Sequence, residues 1–174
     1  MNIKIKPLAI TFLLFFNIAS FADEQLQPLE FSGYDFSTNK PFKFNQFKGK
    51  IIYLDFWASW CPPCLESMPF MEKLYQQYKA QGFEIIAVNI DEHKEDASKF
   101  LDLHPISYTN LYDPQGKIGK RFKVRSMPTA FLIDQDGNVI YKHVGFNQKY
   151  SIKLEEALKG YLSNLGYKKT VTKK

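Results

Sequence analysis

Residues 60–64 read Trp60-Cys61-Pro62-Pro63-Cys64, set between an apolar run at 51–57 and a stretch patterned for a helix. That junction constrains the chain more than any other part of it. The run at 51–57 is almost continuous in apolar side chains, which suits a strand covered on both faces. Beyond the cysteines, Met68, Met71, Leu74, Tyr75 and Tyr78 recur at three and four, so the spacing predicts a helix over 63–80, ended by Gly82. A second apolar run at 83–90 then predicts a strand parallel to the first, joined to it by the helix as a right-handed crossover. Two thiols two residues apart close a disulfide within one helical turn. A cysteine at a helix start has its thiolate stabilised by unpaired backbone N–H groups and by the positive end of the dipole. The junction therefore implies a reversible thiol/disulfide centre.

From 29 to 47, aromatic residues alternate loosely with Ser, Thr, Asn and Lys, and Gly33 and Asn39-Lys40-Pro41 supply turn chemistry, which predicts short strands in a hairpin. Residues 91–103 read as a polar amphipathic helix closed by Pro105, and 116–122 as a shorter one. Strands at 129–133 and 139–144, joined through Asp134-Gln135-Asp136-Gly137-Asn138, predict an antiparallel hairpin. A last helix at 151–165 puts Ile152, Leu154, Leu158 and Leu162 on its inner side. The class is α/β.

Lys4 and Lys6 precede an apolar stretch at 8–19, and Ser20-Phe21-Ala22 places small residues before a cleavage point, the three-part form of a secretory signal. Residues 1–22 are expected to be a signal peptide cleaved after Ala22, 23–167 one domain, and 168–174 a basic disordered tail. Retention of the first segment as an N-terminal anchor is the alternative, although its apolar stretch is short for a span of about 20 residues. Taking Lys4 and Lys6 from the 23 basic residues leaves 21 against 18 acidic ones, a net charge of +3, and four of those lysines lie in 168–174. The body is near neutral, so the basic pI is no argument for a nucleic-acid surface, and no nucleic-acid partner is expected.

A domain of this length buries a core without staples, and a disulfide closing a four-residue loop adds little stability. Chemistry explains the pair better than structure does. Zinc needs further Cys or His ligands, yet Cys64 is the last cysteine and His93, His104 and His143 are scattered singly. Covalent haem attachment needs a histidine directly after the second cysteine, where Leu65 stands. No metal and no bound cofactor are expected.

The run from Leu54 to Cys64, the Met68-Pro69 that follows, and Ser126-Met127-Pro128-Thr129-Ala130-Phe131-Leu132-Ile133-Asp134 together resemble the thioredoxin superfamily, and within it the secreted TlpA/ResA-like thiol-disulfide oxidoreductases. The leading hairpin and the insert between Asp91 and Arg125 suit the same subgroup. The resemblance implies a thioredoxin-like three-layer sandwich, a mixed central sheet flanked by helices, with an N-terminal β-hairpin extension and a central insert. It implies that Cys61 is the exposed attacking thiolate and Cys64 the shielded thiol that resolves the mixed disulfide. Asp55, six residues before Cys61 in an apolar strand, matches the buried acid that moves the proton of the resolving thiol. Burial should raise its pKa, the more so because Ala87 stands where many thioredoxins place a lysine. Pro128 matches a cis-proline that faces the disulfide and exposes the backbone of Met127 to an extended substrate segment. Trp60 and Pro62 complete that substrate-binding rim, and Trp57 packs beneath it. Many relatives carry a functional Glu where this chain has Ser67. Glu66 is offset by one position, about 100° around the helix, and reads as a solvated acid.

The resulting expectation is a periplasmic or otherwise extracytoplasmic, monomeric thiol:disulfide oxidoreductase that reduces protein disulfides. Its partners would be cysteine-containing protein substrates and a membrane thiol carrier as electron donor, and family similarity points to cytochrome c maturation. One rival is a holdase that binds unfolded chains in the groove at Met127 and Pro128. Another is a thiol peroxidase of the same fold, whose cysteine normally lies in a Pro-x-x-x-Thr-x-x-Cys setting that neither Cys61 nor Cys64 has.

Overall fold

A computed structural model describes residues 31–171; the expected signal peptide at 1–22 lies outside them. The described chain begins with the expected hairpin, β1 (Ser32–Tyr34) against β2 (Pro41–Lys43), antiparallel with Gly33 opposite Phe42. Then β3 (Ile51–Trp57) enters the core with all seven residues buried, as its unbroken apolar run requires. Helix α1 (Pro62–Tyr78) and a short 3-10 turn carry the chain to Gly82, whose φ of 97° is a left-handed stop that only glycine takes readily. Strand β4 (Phe83–Asn89), again fully buried, pairs in parallel with β3 and completes the β-α-β unit.

Helix α2 (Lys94–Leu103), β5 (Thr109–Tyr112) and α3 (Lys117–Arg121) form the central insert. Strands β6 (Thr129–Ile133) and β7 (Val139–Val144) form the second hairpin, and α4 (Gln148–Val171) follows. The main sheet is ordered β5-β4-β3-β6-β7, parallel on the β4 and β5 side and antiparallel on the β6 and β7 side. The chain has the thioredoxin-like fold, with a mixed central sheet flanked by helices. One face of the sheet packs on α1, α2 and α4 through Met68, Leu74, Phe100 and Leu158. The other packs on α3 and the leading hairpin through Ile118, Phe122, Phe42 and Phe44.

Several boundaries differ from the sequence expectation, each for a visible reason. Strand β5 was not anticipated: four residues with Asn110 inside give no alternation to read, and its partner β4 is remote in sequence. Helix α2 starts at Lys94 rather than at 91, because Asp91 is held by other hydrogen bonds. Helix α3 is shortened by an N-terminal clamp in which the Asp113 carboxylate accepts from the N–H groups of Lys117, Ile118 and Gly119 at 2.8, 2.8 and 3.1 Å. Ile152, expected inside, is 56 % exposed, since the buried stripe of α4 follows Ser151, Leu154, Leu158 and Leu162 and Ile152 falls on the opposite side. Helical backbone continues to Val171. Among the described residues no helix is long and apolar enough to cross a membrane.

Candidate active site

The redox pair sits where β3 hands over to α1. Cys61 is the N-cap residue of α1 in extended conformation, and Pro62 and Pro63 occupy the first two helical positions, where their fixed φ fits and a missing N–H costs nothing. Cys61 and Cys64 form a disulfide with Cα atoms 5.4 Å apart. In this disulfide form Cys61 is 3 % exposed and Cys64 is fully buried. A correction to the sequence expectation concerns the helix end. The two prolines carry no N–H, and the Cys64 N–H donates to the Cys61 carbonyl at 3.0 Å. The first turn therefore offers Cys61 the helix dipole rather than free donors.

Strand β3 brings Asp55 to the same face as Tyr53 and Trp57, which pack in the cluster containing both cysteines. Its cross-strand neighbours are Ala87 on β4 and Ala130 on β6, so neither adjoining strand supplies a charge. Asp55 is 4 % exposed, and burial alone pushes its carboxyl up to about 8. Three tyrosines surround it. Tyr53, Tyr108 and Tyr150 are all pushed above their ordinary range, first by burial and further by the nearby Asp55 charge. The Tyr53 and Tyr150 hydroxyls lie 3.3 Å apart.

On the rim, Trp60 is 65 % exposed and Pro62 is exposed, whereas Trp57 is fully buried beneath. Trp57 donates its indole N–H to Asn110 Oδ1 at 3.0 Å and packs on Phe100 with ring centroids 5.1 Å apart. The Met127–Pro128 peptide bond is cis. Pro128 is buried, and Met127 is half-buried against the cluster holding the cysteines. Glu66 is exposed, while Ser67 is buried and donates its hydroxyl to the Cys64 carbonyl at 3.0 Å.

The Redoxin family profile matches residues 24–159. The chain belongs to the Redoxin family. Among Redoxin relatives, the thiol-disulfide oxidoreductase ResA of Bacillus thuringiensis subsp. konkukian is 41 % identical over 120 residues, covering 69 % of this chain and 68 % of that one. ResA of Bacillus anthracis is 36 % identical over 126 residues, covering 72 % and 69 %. The crystal structure of a thiol:disulfide interchange protein DsbE from Chlorobium tepidum superposes with a TM-score of 0.74 at 39 % identity, covering 78 % of this chain and 95 % of that one. A thioredoxin-family thiol:disulfide interchange protein from Chlorobium tepidum TLS gives 0.66 at 26 % identity, covering 76 % and 93 %. This Redoxin is accordingly a thiol-disulfide oxidoreductase of the ResA-like group, with Cys61 and Cys64 as its C-x-x-C pair and cysteine-containing substrates.

One residue of the Redoxin site was not singled out from sequence. Asp91, 2 % exposed, accepts from the Ser59 N–H at 2.9 Å, the Ser59 hydroxyl at 3.0 Å and Asn89 Nδ2 at 2.7 Å. It pins the loop that presents Trp60 and Cys61. The available signal was Asn89-x-Asp91, two polar residues closing an apolar strand. Asp91→Ala strands those donors, and each buried unmade hydrogen bond costs about 1–3 kcal/mol. We expect a loss of about 3 kcal/mol in urea unfolding; a change within about 0.5 kcal/mol, as for an ordinary surface substitution, would show that water replaces the carboxylate freely.

Proposed function

We propose that this oxidoreductase works outside the cytoplasm as a monomeric reductase of protein disulfides, with Cys61 attacking, Cys64 resolving and Asp55 accepting the resolving proton. The observation that carries this reading is the placement of a buried carboxyl, pushed up to about 8, on the strand that leads into the disulfide. In the cycle, the reduced Cys61 thiolate attacks one sulfur of the substrate disulfide, and the other substrate sulfur leaves with the bonding pair. Cys64 then passes its proton to the Asp55 carboxylate, and its sulfur attacks Cys61. The Cys61–Cys64 bond forms, the bond from Cys61 to substrate breaks, and the second substrate sulfur leaves as a thiolate. Two electrons have moved from the protein dithiol to the substrate. The cycle restarts when a membrane thiol carrier returns them.

Trp60, Pro62 and Met127 form the surface against which the substrate segment lies, and buried Pro128 holds the Met127 backbone in place. Among the described residues that backbone takes no backbone hydrogen bond, which supports pairing with an extended substrate by strand addition. The leader-like residues 1–22 support export, and the resemblance to the TlpA/ResA-like group supports service in cytochrome c maturation. Equilibration with a glutathione or dithiothreitol couple tests the direction. A reductase should have a potential nearer thioredoxin's about −270 mV than the about −120 mV of a strong oxidant such as DsbA. A value at the oxidant end would reverse the assignment.

A further inference from the structure

Along α3 and the loop that leads to Met127 the chain reads Lys117-Ile118-Gly119-Lys120-Arg121-Phe122-Lys123-Val124-Arg125, five cations and no acid in nine residues. The 23 basic residues less Lys4, Lys6 and the four lysines of 168–174 leave 17 in the domain, so outside this run the domain holds 12 basic against 18 acidic ones. Positive charge is concentrated here on a body that is otherwise acidic. Ile118 and Phe122 point inward and seat the run on the sheet, with the Phe122 ring centroid 5.1 Å from that of Phe131, whereas all five cations are exposed. Lys142 of β7 joins them, its Nζ 5.3 Å from the centroid of the same Phe131 ring.

Two observations separate this surface from an ordinary solvated one. Lys50, Lys99 and Lys159 pair with Glu84, Asp96 and Glu155, but among the described residues none of the five cations pairs with an acid. Asp113, the nearest acid in sequence, is committed to the N–H groups of Lys117, Ile118 and Gly119. Lys123 also has a φ of 51°, a left-handed conformation that glycine takes more readily, so the position keeps a long cation where the backbone favours none. Arg125 stands two residues before Met127, at most about 7 Å away, and Lys123 at most about 14 Å. An extended segment lying on the Met127 backbone advances about 3.3 Å per residue. Side chains two to four residues from its reactive cysteine therefore come within reach of these two cations. Among the described residues no exposed large apolar side chain falls within 117–125, so the run offers a bilayer no anchor and a nucleobase no stacking ring. Carboxylates need neither, since arginine and lysine hold them directly.

We propose that the 117–125 run is a docking surface for acidic side chains that flank the reactive cysteine of the protein substrate. The inference names a substrate class for the Met127 groove and rests on the proposed reduction of protein disulfides there. Arg125 and Lys123 meet the acidic flank, while Lys117, Lys120 and Arg121 extend the positive field around it. The surface speeds the encounter with acidic substrates and slows that with basic ones. Exchange at Cys61 itself is untouched.

The test compares single-turnover reduction, by the full chain, of three peptide disulfides that share the residues next to cysteine and differ only in acidic, uncharged or basic flanks. At low ionic strength the acidic peptide should react about tenfold faster than the uncharged one, the low end of electrostatic steering, and the basic peptide more slowly. At about 1 M salt, where the screening length falls to about 3 Å, the three rates should converge. Lys123→Glu combined with Arg125→Glu should bring the acidic peptide down to the rate of the uncharged one, with the reaction of uncharged 2-hydroxyethyl disulfide unchanged. Lys123→Gln combined with Arg125→Gln is the milder pair if the first does not fold, and should lower the preference to about threefold. A preference that survives high salt or the substitutions, or an equal loss on 2-hydroxyethyl disulfide, would overturn the inference. Co-sedimentation with phosphatidylglycerol vesicles, together with indifference to peptide charge, would assign the run to a lipid surface instead. If no peptide disulfide is reduced whatever its flanks, the reductase reading fails and the docking surface with it. If all three are reduced at equal rates, the docking surface alone is overturned.

Discussion

Cys61→Ser should abolish turnover of disulfide substrates, by at least about a thousandfold, as removal of a nucleophile does. A serine hydroxyl stays protonated at neutral pH and cannot attack a disulfide, and Cys64, fully buried on the inner side of α1, cannot take over the first step. Cys64→Ser should behave differently. Attack by Cys61 survives and resolution is lost, so covalent complexes between protein and substrate should accumulate on non-reducing gels. The contrast follows from position, with Cys61 at the N-cap beside exposed Trp60 and Pro62, and Cys64 one turn into the helix above buried Ser67. Equal trapping by both single variants would overturn the assignment of roles.

Asp55→Asn should move stability and activity in opposite directions. The folded carboxyl is pushed up to about 8, against about 4 in an unfolded chain. Below about pH 4 both states hold the proton and the residue costs nothing. Between about 4 and 8 the unfolded chain has lost a proton that the folded chain keeps, so stability falls as pH rises, and above about 8 the full penalty remains. At pH 7 that amounts to up to about 4 kcal/mol, from about three units at about 1.4 kcal/mol each. The unmade hydrogen bonds of a buried amide take back about 1–3 kcal/mol of the gain. Asp55→Asn should therefore raise the denaturation midpoint of the oxidised protein, by an increment that grows with pH up to about 8. Resolution of the mixed disulfide should meanwhile slow by about a hundredfold, the low end of what a lost general base costs. A stability offset independent of pH, or an unchanged rate, would remove Asp55 from proton transfer.

What was readable from sequence was local, or a direct consequence of periodicity. The β3-to-α1 junction, the β-α-β unit and the second hairpin lie within short stretches whose apolar spacing specifies them, and Asp55 stands out as the one acid in a buried run. Ala87 does lie opposite it, as expected from resemblance. What escaped depends on register between segments remote in sequence. Nothing near Asn110 says that it receives the Trp57 indole N–H, and nothing near His143 says that it shares a sheet row with Asp55. Asp91 reads as the start of a polar helix until the fold brings Ser59 to it.

The most direct test mixes the reduced protein with an equimolar peptide disulfide, quenches with acid at successive times and maps the products by mass. The expected sequence is a transient adduct at Cys61 alone, followed by an intramolecular Cys61–Cys64 disulfide and one peptide dithiol per protein oxidised. An adduct appearing first at Cys64, or peptide reduction without closure of the Cys61–Cys64 bond, would contradict the account.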